Sequence, residues 1–331
     1  VLWVCRENMP LFQRYFRFKP RQLGLDTLRR YDVYAPLGAA EKAYPFAEGA
    51  DMVLDSLRGF SEEVAEEARR VFVDEHLDSE IRPGKRGGAF CAGILPGVTP
   101  WVLVNYVGKI TDVTTLAHEL GHAVHAMMAE AHSIFTFHSA LPLAETASVF
   151  SEMLLTDRLL REEDDPDVRR QLLVTALDDA YATVARQAYF VLFEKAAHRE
   201  AVGGVSVDEL CALYLENLNE QFGGAVDVSD DFRWEWTAIP HFYHTPFYCY
   251  AYSFGHLMVL ALYQQYQEEG ESFVPRFLKI LAYGGSRNPE EIISEAGFDI
   301  ASPSFWQRGF DVLEGYLEEL EGLAPGSAQA T

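Results

Sequence analysis

The sequence predicts a mainly α, multi-helical fold with a small β-sheet beside one central helix. Three observations carry this. Apolar residues recur at steps of three and four over most of the 331 residues. One stretch, 81–108, is broken by Pro83, Gly84, Gly87, Gly88, Gly93, Pro96, Gly97 and Pro100, which leaves room only for short extended runs. No internal repeat, low-complexity tract or linker divides the chain, so residues 1–323 are expected to form one domain, followed by a loose tail at 324–331.

The elements follow in order. Asp51 to His76 is a long amphipathic segment with Glu62, Glu63, Glu66 and Glu67 on its solvent side. Ala89 to Cys91 and Trp101 to Tyr106 read as short strands. Thr111 and Asp112 then offer N-cap oxygens to a helix whose stripe is Val113, Leu116, Ala117, Leu120, Val124 and Met127. Helices are expected over 146–163, over 167–200 up to a Gly-Gly at 203–204, and over Asp208 to Phe222. Thr245 and Pro246 form a cap and first-turn pair for a helix running to Glu269. Residues 273–282, 289–296 and 303–323 complete the helical set.

Composition narrows the function classes. Lys plus Arg is 27 and Asp plus Glu is 50, a net charge of −23. That argues against nucleic acid and against anionic membranes as partners. The cysteines, Cys5, Cys91, Cys211 and Cys249, form no close pair in sequence, so a reducing, cytoplasmic setting is expected rather than a disulfide scaffold. The longest apolar runs, such as Leu257 to Leu262, are too short to span a bilayer, and no secretory signal is visible.

The chemistry concentrates in HELGH, residues 118–122. Imidazoles four residues apart on a helix point the same way, so one metal ion can take a nitrogen from His118 and another from His122. Glu119 can reach a water on that metal, which is the zincin pattern. Five residues with three fixed positions also recur by chance, so a helix and a third ligand must come from context. Gly121 costs about 1 kcal/mol relative to alanine inside a helix. Close approach of another backbone explains it, and so does a harmless glycine. His125, three residues past His122, is either a further ligand or a structural neighbour.

Downstream, Glu145, Ser148 and Glu152 recur at steps of three and four in LAETASVFSEML, among Ala144, Ala147, Val149, Phe150, Met153 and Leu154. A glutamate on so apolar a helix is expensive unless paired or metal-bound. Glu145 is assigned as the third metal ligand. Glu152 is assigned to the far ring nitrogen of a ligating histidine.

HELGHAVH followed by AETASVFSEM resembles the oligoendopeptidase F branch of the thimet-oligopeptidase-like zinc metallopeptidases. Residues 123–144 separate the second histidine from the glutamate, as in that group. KRGGAFCAG (Lys85 to Gly93) resembles the family's segment before the active-site helix. VLVNYVGKITDVTTLAHELGH (Val102 to His122) resembles its strand and active-site helix. IPHFYHTPFYCYAYSFG (Ile239 to Gly255) resembles its substrate-binding segment. Phe277 to Asp299 and Pro303 to Glu321 resemble its C-terminal helices. The resemblance implies a zincin-type catalytic domain holding one Zn2+ and acting on short peptides. It implies that His241 and a tyrosine, Tyr252 first and Tyr248 next, contact substrate and stabilise the tetrahedral intermediate. Tyr250 is as readily structural. ENMPLFQRYFRFKPRQLGLD resembles the middle of such proteins, so a missing N-terminal helical domain that roofs the channel is expected as a partner.

Gly87, Gly88 and Ala89, with the strand at Trp101 to Tyr106, could offer an edge to an extended peptide or simply make a tight turn. Three other readings stay open at this level: a peptide-binding module without turnover, a structural metal site, and an exopeptidase.

Overall fold

Periodic apolar positions pull most of the chain into helices. In the computed structural model, residues 1–37 and 42–323 are described. The expected loose tail, 324–331, lies outside the described residues. In chain order the helices are α1 (Leu2–Glu7), α2 (Met9–Leu23), α3 (Phe46–Phe60), α4 (Glu62–Val73), α5 (Ile110–Met128), α6 (Thr146–Glu162) and α7 (Pro166–Ala180). They continue with α8 (Arg186–Ala201), α9 (Val207–Phe222), α10 (His241–His244), α11 (Tyr250–Glu269), α12 (Val274–Ala282), α13 (Pro289–Glu295) and α14 (Pro303–Gly322). The strands are β1 (Leu77–Asp78), β2 (Phe90–Ala92) and β3 (Trp101–Leu103). The fold is therefore mainly α with one small sheet, as predicted. No helix of the described residues is long and apolar enough to cross a membrane.

The chain divides into two compact units. One comprises Val1–Ala39, Arg170–Leu257 and Phe310–Thr331, and the other Ala40–Arg169 and Met258–Gly309.

In the second unit the sheet order is β1-β3-β2, with β1 parallel and β2 antiparallel to β3. Cys91 faces Val102 across the ladder, and β2 forms an edge, whereas the strand expected to offer one, at Trp101, is central and paired on both sides. Aromatic side chains fill the core: Phe150 lies 4.2 Å from Phe277 and 5.0 Å from Phe60, ring centre to ring centre. The segment expected as one long helix from Asp51 is two helices. Ser61 is extended (φ −159°, ψ 129°) and its hydroxyl accepts from Val64 N, so it ends α3 and caps α4.

In the first unit, Phe16 packs edge-on against Tyr181 at 4.8 Å and against Phe222 at 5.6 Å. Lys19 is fully buried there, bonded to both oxygens of Asp178 (2.9 and 2.8 Å) and to the Val33 carbonyl (2.6 Å). The run expected to be helical over 167–200 is α7 and α8 joined through one π-turn at Tyr181–Ala185. The helix expected from Pro246 begins at Tyr250 instead. Phe247 takes a left-handed conformation (φ +64°), which a helix cannot include, and the buried Glu194 carboxylate accepts its backbone N–H at 2.8 Å.

Candidate metal centre

α5 starts where its cap dictates. The Asp112 carboxylate accepts from Val107 N (2.8 Å) and Lys109 N (2.9 Å), both through Oδ2. Asp112 thus supplies the capping oxygen from inside the first turn, whereas Thr111 does not. The predicted stripe, Val113, Leu116, Ala117, Leu120, Val124 and Met127, is buried. His118 and His122 occupy the opposite face, about a quarter exposed.

Gly121 decides how near the next helix comes. A Cβ there would lie 2.5 Å from Ser148 Cα and 2.6 Å from the Ala147 carbonyl oxygen. Close backbone approach is therefore the reason for this glycine. It lets the first turn of α6 press against α5 and carries Glu145, which sits just ahead of Thr146 as the N-cap residue, onto the histidine face.

Three donor atoms converge. Glu145 Oε2 lies 3.3 Å from His118 Nε2 and 3.3 Å from His122 Nε2, and the two nitrogens are 3.1 Å apart. The Ser148 hydroxyl donates to the same Glu145 oxygen at 2.7 Å and fixes its rotamer. Glu152 meets the far ring nitrogen, Nδ1, of His118. All four predicted residues of this cluster are brought together. Burial disfavours the charged form of His118, but the hydrogen bonds to Glu145 and Glu152 outweigh it and lift the imidazole to about 10. Burial likewise works against the Glu145 carboxylate, yet the bonds from both imidazoles hold it well below the usual range.

The donor set suits a tetrahedral cation. Zinc–nitrogen and zinc–oxygen bonds of about 2.05 Å place neighbouring ligand atoms about 3.3 Å apart, close to the separations seen. Two imidazoles and one carboxylate also match a catalytic rather than a closed structural set. A structural site would be expected to close with four ligands, and His118, His122 and Glu145 are the only such group of three or more among the described residues.

Glu119 is buried beside this cluster, and its Oε2 has no hydrogen-bond partner in the protein. Burial raises its proton affinity. His125 is buried too, held neutral by desolvation at about 4, and hydrogen-bonds to the Ala144 backbone. It props the residue before Glu145 and is not among the converging donors. A cavity of about 510 Å3 opens over the cluster, walled by Phe90 to Gly93 on one side and Phe137 to Ser139 on another.

The other predicted constellation lies in the first unit. His241 Nε2 and the Tyr252 hydroxyl are 3.2 Å apart, and the Tyr248 ring stacks on His241 at 5.8 Å. The three form one cluster, while Tyr250 is exposed.

The chain matches the description Peptidase family M3 over residues 4–312. It belongs to that family. This M3 chain is 31% identical over 326 residues to an oligoendopeptidase F homolog of Lactococcus lactis, covering 98% of this chain and 54% of the relative. It is 31% identical to oligopeptidase PepF of Bacillus subtilis, covering 97% of this chain and 48% of that protein. The chain spans about half the length of the curated relatives it matches. A peptidase structure from Chlamydophila abortus is similar with a TM-score of 0.89 at 32% identity, over 97% of this chain and 54% of that one. Oligoendopeptidase-F from Enterococcus faecium follows with a TM-score of 0.74 at 28% identity, over 97% and 51%. The M3 assignment agrees with the resemblance carried by HELGHAVH and AETASVFSEM.

Sequence reasoning missed one anchor. The Lys85 ammonium is buried and donates to the carbonyls of Asp78 (3.0 Å), Glu80 (2.8 Å) and Val104 (2.7 Å). It ties the Gly87-Gly88 loop to β1 and to the end of β3. A lysine among glycines carries no periodic signal, so only the three-dimensional contacts show its role.

Proposed function

We propose that this M3 protein is a zinc-dependent endopeptidase that hydrolyses internal bonds of short oligopeptides. The observation that supports it most is the convergence of His118, His122 and Glu145 beside Glu119, whose buried Oε2 has no hydrogen-bond partner in the protein. His118, His122 and Glu145 would hold the ion. When bound, such an ion acidifies water and polarises a carbonyl oxygen. Glu119 accepts the proton of the attacking water as its oxygen bonds to the peptide carbon. It then returns that proton to the amine nitrogen as the C–N bond breaks. Its burial makes the carboxylate a stronger base than an exposed one. Glu152 keeps the His118 ring turned and its tautomer fixed. His241, Tyr252 and Tyr248 serve as substrate and oxyanion hydrogen-bond donors. This role rests on the family resemblance and on the contacts these three make with one another.

Glu119→Gln is expected to keep the metal and to lower kcat by about 10²–10⁴-fold. Metal content by elemental analysis, together with turnover of peptides blocked at both ends, tests this. Parent-rate cleavage by the variant would remove Glu119 from the mechanism. An inert metal-loaded parent would remove the peptidase reading itself.

A further inference from the structure

A second cavity, of about 250 Å3, is lined by Gly88, Ala89, Val104, Asn105, Asp112 and Thr115. Ala89 also lines the cavity over the metal centre, so the two are neighbours at the start of the β2 edge. Thr115 sits on α5 one turn before Glu119. One helical turn rises about 5.4 Å, and an extended peptide advances about 3.4 Å per residue. The cavity thus lies about one helical turn from Glu119, a span of about two residues of extended peptide.

Its side-chain polar atoms with spare capacity are all acceptors. Both capping bonds of Asp112 fall on Oδ2, which leaves Oδ1. Asn105 Nδ2 is used on the carbonyls of Arg86 (3.1 Å) and Gly88 (2.7 Å), which leaves its Oδ1. The Thr115 hydroxyl proton is given to the Thr111 carbonyl at 2.8 Å, which leaves only lone pairs. Two nearby cations are turned elsewhere: Lys85 holds three carbonyls, and the Arg86 guanidinium lies 5.3 Å over the Phe90 ring. Val104 and Ala89 supply an apolar wall suited to methylene groups. A site with a carboxylate, two neutral acceptors and an apolar wall fits an alkyl chain ending in a cation.

We propose that this cavity is the subsite for a lysine or arginine side chain of the substrate. Asp112 then gives the peptidase a preference for a basic residue beside the scissile bond. The proposal rests on the endopeptidase reading above and names its substrate class.

The test uses peptides acetylated and amidated at their ends, identical except for lysine, norleucine or glutamate at each of the two positions on either side of the bond. At one position lysine should exceed norleucine about tenfold in kcat/KM, with glutamate lowest. Asp112→Asn should bring the lysine-to-norleucine ratio near one, because its amide keeps an acceptor for the helix cap but offers the cavity no charge. Thr115→Lys should do the same by filling the cavity, without touching the cap. Calorimetric binding of the same peptides to Glu119→Gln should give the same order. A ratio near one in the parent, or an undiminished ratio in both variants, overturns the proposal. A preference seen only with free N-termini assigns the cavity to a terminal amine and overturns it too. If no peptide is cleaved, the endopeptidase reading fails and the binding series alone decides the subsite.

Discussion

Two regions of this molecule bury charge, and they resolve it differently. Around Lys19 the account closes within the chain. The ammonium meets both Asp178 oxygens and a carbonyl, and the Tyr15 hydroxyl donates to the same carboxylate at 2.8 Å. Around His118 the chain assembles three glutamates and two imidazoles, and among the described residues Glu145 and Glu152 meet only those imidazoles as ion-pair partners. One of those glutamates, Glu119, keeps an unsatisfied oxygen. Burial of unpaired acceptors is costly, so an excess of them in one place points to a cation supplied from outside. The Lys19 cluster matches its carboxylate with an ammonium, whereas the His118 cluster holds more carboxylates than its imidazoles can balance.

The contrast can be broken or sharpened by experiment. Lys19→Met leaves the mostly covered Asp178 carboxylate with the Tyr15 hydroxyl but without its ammonium and should lower stability by about 2–4 kcal/mol in denaturant titrations. Adding Asp178→Leu should recover most of that, since the pair is then removed together. A single variant as stable as the parent would show that the Lys19 pair is not framework. Gly121→Ala gains about 1 kcal/mol of helix propensity but drives a methyl into Ser148 and the Ala147 carbonyl. The expected balance is a net loss of about 1–3 kcal/mol, with weaker metal binding as α6 backs away. Unchanged metal affinity in this variant would mean that the α5–α6 contact does not set the donor spacing.

Glu152→Gln should weaken metal affinity about 10–100-fold while leaving the ion-free fold intact, as read by competition with a chelator. The last expectation concerns pH. His118 in the ion-free cluster is lifted to about 10, so near neutrality it carries a proton that an incoming cation must displace. Uptake therefore releases that proton, and apparent affinity should rise with pH, about tenfold per unit for one proton released. A flat affinity profile across neutral and mildly alkaline buffers would contradict the proton-holding cluster.

Much of the second region was legible because helix periodicity is rigid. Steps of three and four placed His118 with His122 and put Glu145 near Glu152. The requirement that buried carboxylates find partners then paired one with the metal site and the other with His118. The sequence left Gly121 and His125 open, since a glycine's neighbour and a histidine's acceptor lie on other elements. Boundaries were less legible where a single residue leaves the regular backbone. Ser61 breaks an amphipathic pattern that is otherwise continuous. Phe247 delays α11 by four residues, through a conformation that no side-chain rule anticipates for phenylalanine. β1, two residues long, has no room to show an alternation. The three-carbonyl role of Lys85 depends on a loop folding back over two strands, which no local pattern encodes.

That lysine has a consequence beyond its own contacts. Because one ammonium gathers carbonyls from three points of the chain, the rim ahead of β2 is ordered before any peptide arrives. A wall that is already held in place has less loop motion to lose when anything binds against it. The stiffness of that wall thus depends on a side chain turned into the chain's own carbonyls.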